Sequence, residues 1–304
     1  MSDVATIPLP AGFGLSIDMT TGEAVNQLDG RPALDDWQRL AERHLGRATA
    51  RLLLARYKLV KASGSEYSAY RVVRCGRSVL RQDDGVNVLR AVAAQRAHFG
   101  NVLQCGSVWH CPVCSGKIAA RRSAEMHLAS SRCVEQGGAV GLVTLTVKHS
   151  SSDSCGQTLE RLQRLTDLVN SGRRAKAWRE RFAVLGQVRA LEFTIGGNGW
   201  HPHIHALLFL ERESDWSAVG ASLRARYVDA ALIEFGWSLP DISVDVRGGD
   251  AAASYVSGWG VQNEVAGGAW KRGKGDSYAP FDLLLQVSNP DASREGRRDA
   301  ALKF

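Results

Sequence analysis

The chain predicts an α+β fold built on a ferredoxin-like antiparallel sheet, and three observations carry that expectation. Apolar and polar residues alternate over 140–148, 185–195, 201–211 and 241–247, the period of half-buried strands. Between the first and second of these runs, and again between the third and fourth, the apolar spacing becomes that of a helix. The resulting order, β-α-β-β-α-β, covers one face of the sheet with helices, leaves the other for ligands and puts the third strand at the centre.

Taken in chain order, the first 30 residues are rich in Gly, Pro and Thr and read as an irregular lead-in. Residues 34–60 read as a helix with Trp37, Leu40, His44 or Leu45, and Leu52 to Leu54 on its apolar face. Arg39, Arg43, Arg47, Arg51 and Arg56 decorate the remainder, a surface open to solvent or to DNA. A cysteine-bearing segment fills 70–115, and 116–135 reads as a helix with Lys117, Arg121 and Arg122 in its early turns. After the strand at 140–148 comes a helix from 157, whose stripe of Leu159, Leu162, Leu165 and Val169 is interrupted near Gly172. The two strands at 185–195 and 201–211 are joined by the turn Gly196-Gly197-Asn198-Gly199. A helix over 215–235 with Val219, Leu223 and Tyr227 on one face leads to the last strand at 241–247. Beyond it, Asp250 is placed to cap a helix on which Tyr255 and Trp259 share a face. Four segments are expected: a lead-in with a basic helical region (1–69), a metal-binding segment (70–138), the sheet domain (139–262) and a C-terminal basic extension (263–304).

The third strand carries chemistry. In His201-Pro202-His203-Ile204-His205 the period of two puts all three imidazoles on one face, while Ile204, Ala206 and Leu208 point into a core behind it. If the hairpin is centred on the glycine turn, Glu192 lies opposite His203 on the same face. His203, His205 and Glu192, with His201 at the strand entrance, then form a site of mixed hardness for Mn²⁺, Mg²⁺ or Zn²⁺ that leaves positions open for a substrate.

A second cluster is made of cysteines. Cys105-x5-Cys111-x2-Cys114 has the spacing of a structural zinc site, with Pro112 shaping the turn. Cys75 is the first choice for the fourth ligand, because Cys75-Gly76 and Cys105-Gly106 look like two halves of a knuckle; His110, His98 and Cys133 are alternatives. Cys133 and Cys155 otherwise read as small buried hydrophobes.

Composition narrows the partners. A chain of 304 residues with 44% hydrophobic content can bury one large core or two smaller ones, and its net charge of +7 favours a polyanionic partner. The start lacks the features of a signal peptide and the longest apolar run, around 139–147, is too short to span a bilayer, so a cytoplasmic protein without a membrane partner is expected.

Three stretches in order, Leu142-Val-Thr-Leu-Thr146, Gly199-Trp-His-Pro-His-Ile-His205 and Tyr255-Val-Ser-Gly258, resemble the motifs of rolling-circle plasmid replication initiators, the Rep-type HUH endonucleases. The cysteine cluster followed by Lys117-Ile118 and Arg121, and the stretch Glu264 to Leu284, are similar to segments of the actinobacterial members. The resemblance covers roughly 70–300. It implies that His203 and His205, with Glu192, hold a divalent cation (Mn or Mg) against a scissile phosphate, and that the Tyr255 hydroxyl attacks to form a 5′-phosphotyrosine and free a 3′-OH. It implies structural zinc at the cysteines, origin DNA (single-stranded or supercoiled) as substrate, and a host helicase and polymerase as partners. Lys271, Arg272 and Lys274, in a Gly-rich loop, are suited to steering phosphate. Two positions depart from the pattern: Gly258 stands where a lysine is common, and Ala251 where some relatives carry a glutamate that activates water. The chain also reads as a shortened version of such proteins. Two other readings are a histidine-triad nucleotide hydrolase, in which an imidazole attacks an α-phosphate without metal, and a catalytically inactive zinc-containing DNA-binding protein.

Overall fold

The computed structural model describes residues 6–8, 15–18, 23–26, 34–91, 96–248 and 276–304. The chain divides into two compact units, one formed by Met1–Arg121 with Pro280–Phe304 and the other by Arg122–Ala279.

In the first unit β1 (Thr6–Pro8), β2 (Leu15–Asp18) and β3 (Glu23–Asn26) make a small antiparallel meander. Helix α1 (Leu34–Leu54) stops earlier than its expected end at 60. Residues beyond it pair instead as a hairpin, β4 (Lys58–Val60) with β5 (Glu66–Ser68), closed by a turn in which Gly64 takes φ +80°. A second hairpin joins β6 (Asn87–Ala91) to β7 (Arg96–Gly100). Helix α2 (Pro112–Glu135) begins at the Cys111-Pro112 step, earlier than the expected 116 and with proline in its first turn, where no amide partner is needed.

The second unit is the sheet domain: β8 (Ala139–Thr146), α3 (Cys155–Asn170), α4 (Gly172–Arg181), β9 (Val184–Gly196), β10 (Gly199–Leu210), α5 (Trp216–Phe235) and β11 (Val244–Arg247). Its strand order is β11-β8-β10-β9, with every neighbouring pair antiparallel, so the ferredoxin-like arrangement holds and β10 is central. Ser154 opens α3 with a capping box to Gln157, and Gly172 at φ +77° separates α3 from α4. The last strand is shorter than the expected 241–247. Pro240 starts a 3₁₀ turn over Asp241–Ser243, closed by the Ser243 amide on the Pro240 carbonyl.

One face of the sheet packs under α3 and α5. Val143 and Leu145 from β8, Ala206, Leu208 and Leu210 from β10, and Leu162, Leu165, Val219 and Leu223 from the helices form its core. Tyr227 is fully buried there and donates a hydrogen bond from its hydroxyl to the Thr146 carbonyl at 2.9 Å. The other face is not wholly left open: Met126 and Cys133 of α2 pack on Val140, Leu142 and Leu207, beside the end of β10 that carries the histidines.

Helices α6 (Pro280–Ser288) and α7 (Arg294–Lys303) close the chain in the first unit. Contact with α6 corrects the expected apolar face of α1. Gly46, Thr49, Ala50 and Leu54 are buried, whereas Leu45 is 49% and Leu52 79% exposed. Apart from Leu54, an expected residue of this face, the buried line is made of small residues, and a Cβ on Gly46 would stand 3.9 Å from Leu284 of α6 and 3.1 Å from Pro112. Close helix approach selects small side chains there and leaves Leu45 and Leu52 outside.

Candidate metal centres and the active face

The turn at 196–199 sets the register of the β9–β10 hairpin: His203 pairs with Glu192, His201 with Thr194 and His205 with Ala190. Gly199 adopts φ +86°, and a Cβ on it would lie 2.6 Å from the Ser150 carbonyl oxygen, so only glycine fits the hairpin tip against the loop after β8. Directly opposed residues share a face, which brings Glu192, His203 and His205 together on the side away from α3 and α5.

There the two imidazoles approach the carboxylate from different sides. His203 Nε2 is 3.5 Å from Glu192 Oε1, and His205 Nε2 is 3.4 Å from Oε2. These are long for hydrogen bonds and match the spacing of atoms that share one ion at about 2.1 Å each. Glu192 and His205 are 5% and 7% exposed, and burying a carboxylate between neutral imidazoles is costly without a proton or cation between them. Thr144 Oγ1 lies 3.1 Å from His205 Nδ1; with Nδ1–H donating to the hydroxyl, Nε2 turns its lone pair toward Glu192, the outer-shell arrangement that fixes a ligating tautomer. The N₂O donor set fits a divalent cation.

His201 stands apart from this group and bonds elsewhere. His149 Nδ1 is 3.2 Å from the Val147 carbonyl oxygen, which can only accept, so His149 carries its proton on Nδ1. Its Nε2 is then the acceptor for His201 Nδ1–H at 3.3 Å, leaving His201 Nε2 unprotonated. Burial, and after it the neighbouring His149 and His203 imidazoles, push the His201 pKa down to about 4.

In the first unit Cys75, Cys105, Cys111 and Cys114 converge, and all four sulfurs are buried. The Cys75–Cys111, Cys75–Cys114 and Cys105–Cys114 sulfurs are 3.8, 3.6 and 3.7 Å apart, the separation of four sulfurs each about 2.3 Å from one tetrahedral ion. Gly76 and Gly106, after the first two cysteines, both have positive φ (68° and 66°), and the amides of Cys105, Ser107 and Cys114 point at cluster sulfurs within 3.5 Å. Cys75 is thus the fourth member. His110 instead bonds Ser107 Oγ at 3.0 Å, Cys133 lies in the sheet core, and His98 is in β7. Hydrogen bonds from Cys105, Cys111 and Cys114 hold Cys75 well below the usual thiol range, and contacts with Cys105, Cys114 and Cys75 push Cys111 well above it. Only a cation lets all four ionise together.

The purified protein is therefore expected to hold one zinc at this cluster. Cys111→Ser or Cys114→Ser should lose the metal and a sizeable part of the roughly 10 kcal/mol such ions contribute, with zinc affinity falling as pH falls because the ligands must be thiolates. A metal assay that finds no zinc, with all thiols freely titratable, would remove the assignment.

Residues 99–215, from β7 to the cap of α5, match the family described as replication protein. This segment, well under half of the whole, is what the chain shares with that replication-protein (Rep) family. The matched segment contains Cys105, Cys111, Cys114, Glu192 and all three histidines of β10. Among curated relatives, the chain is similar to a protein named Protein rep of Streptomyces lividans, 27% identical over 262 residues, 67% of this chain and 57% of that one. It is also 34% identical to a neomycin resistance protein of Streptomyces cyanogenus over 153 residues, 42% of this chain and 35% of that one. The chain thus spans about a third to just over half the length of these relatives. No solved structure matches it significantly.

Tyr255, Lys271, Arg272 and Lys274 lie outside the described residues, as does the helix expected after Asp250. Of the tyrosines described in the sheet domain, Tyr227 is buried under the helices, and Tyr278 pairs by main chain with Ile195 at the edge of β9. Bridge partners share a face, so Tyr278 takes the side of Ile195, opposite to Glu192. Motif reading of the matched segment missed His149 and Thr144. Thr144 was legible in principle, lying on the even-numbered face of β8; His149 follows the strand, where no periodicity assigns a face. No described helix is long and apolar enough to cross a membrane.

Proposed function

We propose that the chain initiates plasmid replication by nicking and rejoining one strand of origin DNA through a covalent tyrosine intermediate. The observation that carries this reading is the buried Glu192–His203–His205 group on the sheet face away from α3 and α5, within the segment that matches the replication-protein family. Glu192, His203 and His205 would hold a divalent cation. When bound, it draws negative charge from the scissile phosphate. Thr144 keeps His205 in the ligating tautomer, and the apolar contacts of Ala206 and Leu208 beneath fix the strand as a platform. The Tyr255 oxygen attacks phosphorus, the bond to the 3′ oxygen breaks, that oxygen ends as a 3′-OH, and the 5′ phosphate remains on the tyrosine. The phosphotyrosine bond conserves the energy needed for rejoining.

Incubation of the full chain with single-stranded origin fragments and Mn²⁺ tests this reading. A protein–DNA adduct that survives denaturation and is blocked by a chelator is expected. Binding without any adduct would favour an inactive DNA-binding protein, and hydrolysis of nucleoside phosphoramidates without metal would favour the histidine-triad chemistry.

A further inference from the structure

Positive charge is unevenly held in this chain. The first unit holds twenty basic residues against fourteen acidic ones and the unit Arg122–Ala279 eighteen against seventeen; within the first, the stretch from Arg43 to Arg121 holds fourteen against three. The excess is gathered around the cysteine cluster. On α1, Arg43, Arg47 and Arg51 follow at four-residue intervals and so share a helix face. That face is turned to the cluster. The Arg43 guanidinium fills the space beside Gly116, Arg47 fills the space beside Gly76, and Arg51 Nη2 donates to the Cys75 carbonyl. The group extends to Arg77 and Lys117: Arg51 is held below its usual value by burial and then by Arg47 and Arg77, and His44 by burial and then by Arg47, Lys117, Arg51 and Arg43.

Some of this charge has a local use, because a tetrathiolate centre with a dication keeps net negative charge beside Arg51. Arg74 and Arg77 have no such use. They are exposed, follow one another at an interval of three in and after the 3₁₀ turn Arg71–Arg74, and among the described residues neither they nor Lys117 has a carboxylate partner. Arg81, the next cation along, does find one in Asp84. Among the described residues the Arg74 side chain bonds only the Ser78 hydroxyl, and cations gathered without carboxylate partners repel one another, a repulsion that a polyanion relieves.

We propose that the cysteine knuckle and α1 form a grip for the phosphate backbone of duplex DNA, with Arg74, Arg77 and Lys117 as its contacts and Arg47 and Arg51 as the charged base that ties them to the knuckle. The inference rests on the reading that the substrate is DNA and adds the surface that holds it. Duplex is the form assigned because it is the densest source of phosphate charge, one per about 1.7 Å of axis. The sheet domain, close to electrical balance, supplies the chemistry, and the first unit supplies the salt-sensitive affinity.

The test compares wild type with Arg74→Gln/Arg77→Gln/Lys117→Gln in the full chain, on an origin duplex titrated from 50 to 200 mM salt. Removing three phosphate contacts should lower the slope of log affinity against log salt by about 2.7, and duplex affinity at ~0.1 M salt at least ten-fold. Adduct formation on a short single-stranded oligonucleotide should be unchanged. An unaltered slope, or a loss confined to single strands, would overturn the grip. If the triple variant loses zinc or misfolds, Arg74→Gln/Arg77→Gln, both exposed, is read instead, with an expected slope change of about 1.8. Failure of the nicking reading would be seen separately, as wild type forming no adduct on the oligonucleotide.

Discussion

Alanine at His203 or at His205 is expected to reduce strand cleavage by at least ~10²-fold while DNA affinity stays near wild type. Each ring faces one oxygen of Glu192, at 3.5 and 3.4 Å, and no other histidine belongs to the group. Losing one leaves a buried carboxylate with a single nitrogen beside it, too few ligands to retain a cation at micromolar metal. Affinity survives because phosphate contacts made elsewhere dominate it. Nicking of supercoiled origin plasmid under limiting Mn²⁺, alongside a binding titration, separates the two effects. Wild-type nicking by either variant in limiting metal would dismiss the site. Glu192→Gln should behave alike for a different reason, since the amide keeps the shape and loses the charge that offsets the cation.

Tyr255→Phe is expected to bind origin DNA normally and to form no covalent adduct at all. A phenyl ring preserves the apolar part of the side chain and removes the only atom able to bond phosphorus. The described tyrosines of the sheet domain are poor substitutes: Tyr227 has its hydroxyl committed to the Thr146 carbonyl under the helices, and Tyr278 takes the face of Ile195. Burial also raises the Tyr227 pKa above its ordinary value, away from a nucleophilic phenolate. Proteolysis of the wild-type adduct and peptide mapping should find the nucleotide on Tyr255. Its recovery on Tyr227 or Tyr278 would refute the assignment and leave the enzyme class standing.

Alternation alone made the chemical face of β10 legible, because a period of two leaves no freedom over which side Ile204, Ala206 and Leu208 take once one side is core. The glycine turn then located Glu192 opposite His203, since hairpin register follows from where the turn is centred. Cysteine spacing found three members of the cluster, and the Cys-Gly pairs the fourth. What escaped was decided by long-range contact. The apolar side of α1 was read from its large residues, but α6, more than 200 positions away, approaches along Gly46 and Thr49. The cover that α2 lays over Leu142 and Leu207 also had no local signal, for Met126 and Cys133 are two side chains in a polar helix. His149 lies beyond the end of β8, and only the folded hairpin brings His201 to it.

The pairing of β9 with β10 has a consequence for how this chain can change over generations. Because Glu192 meets His203 and His205 only in one register, and because β10 alternates between these histidines and the core residues Ile204, Ala206 and Leu208, adding or deleting a single residue at 196–199 would break the match of Glu192 to the imidazoles or exchange the two faces of the strand. An exchange would send the imidazoles under α3 and α5 and take the core residues out. The hairpin can therefore drift in residue type at its exposed positions, yet its length is held constant by two independent demands, and lineages that vary this loop should do so by substitution and never by count.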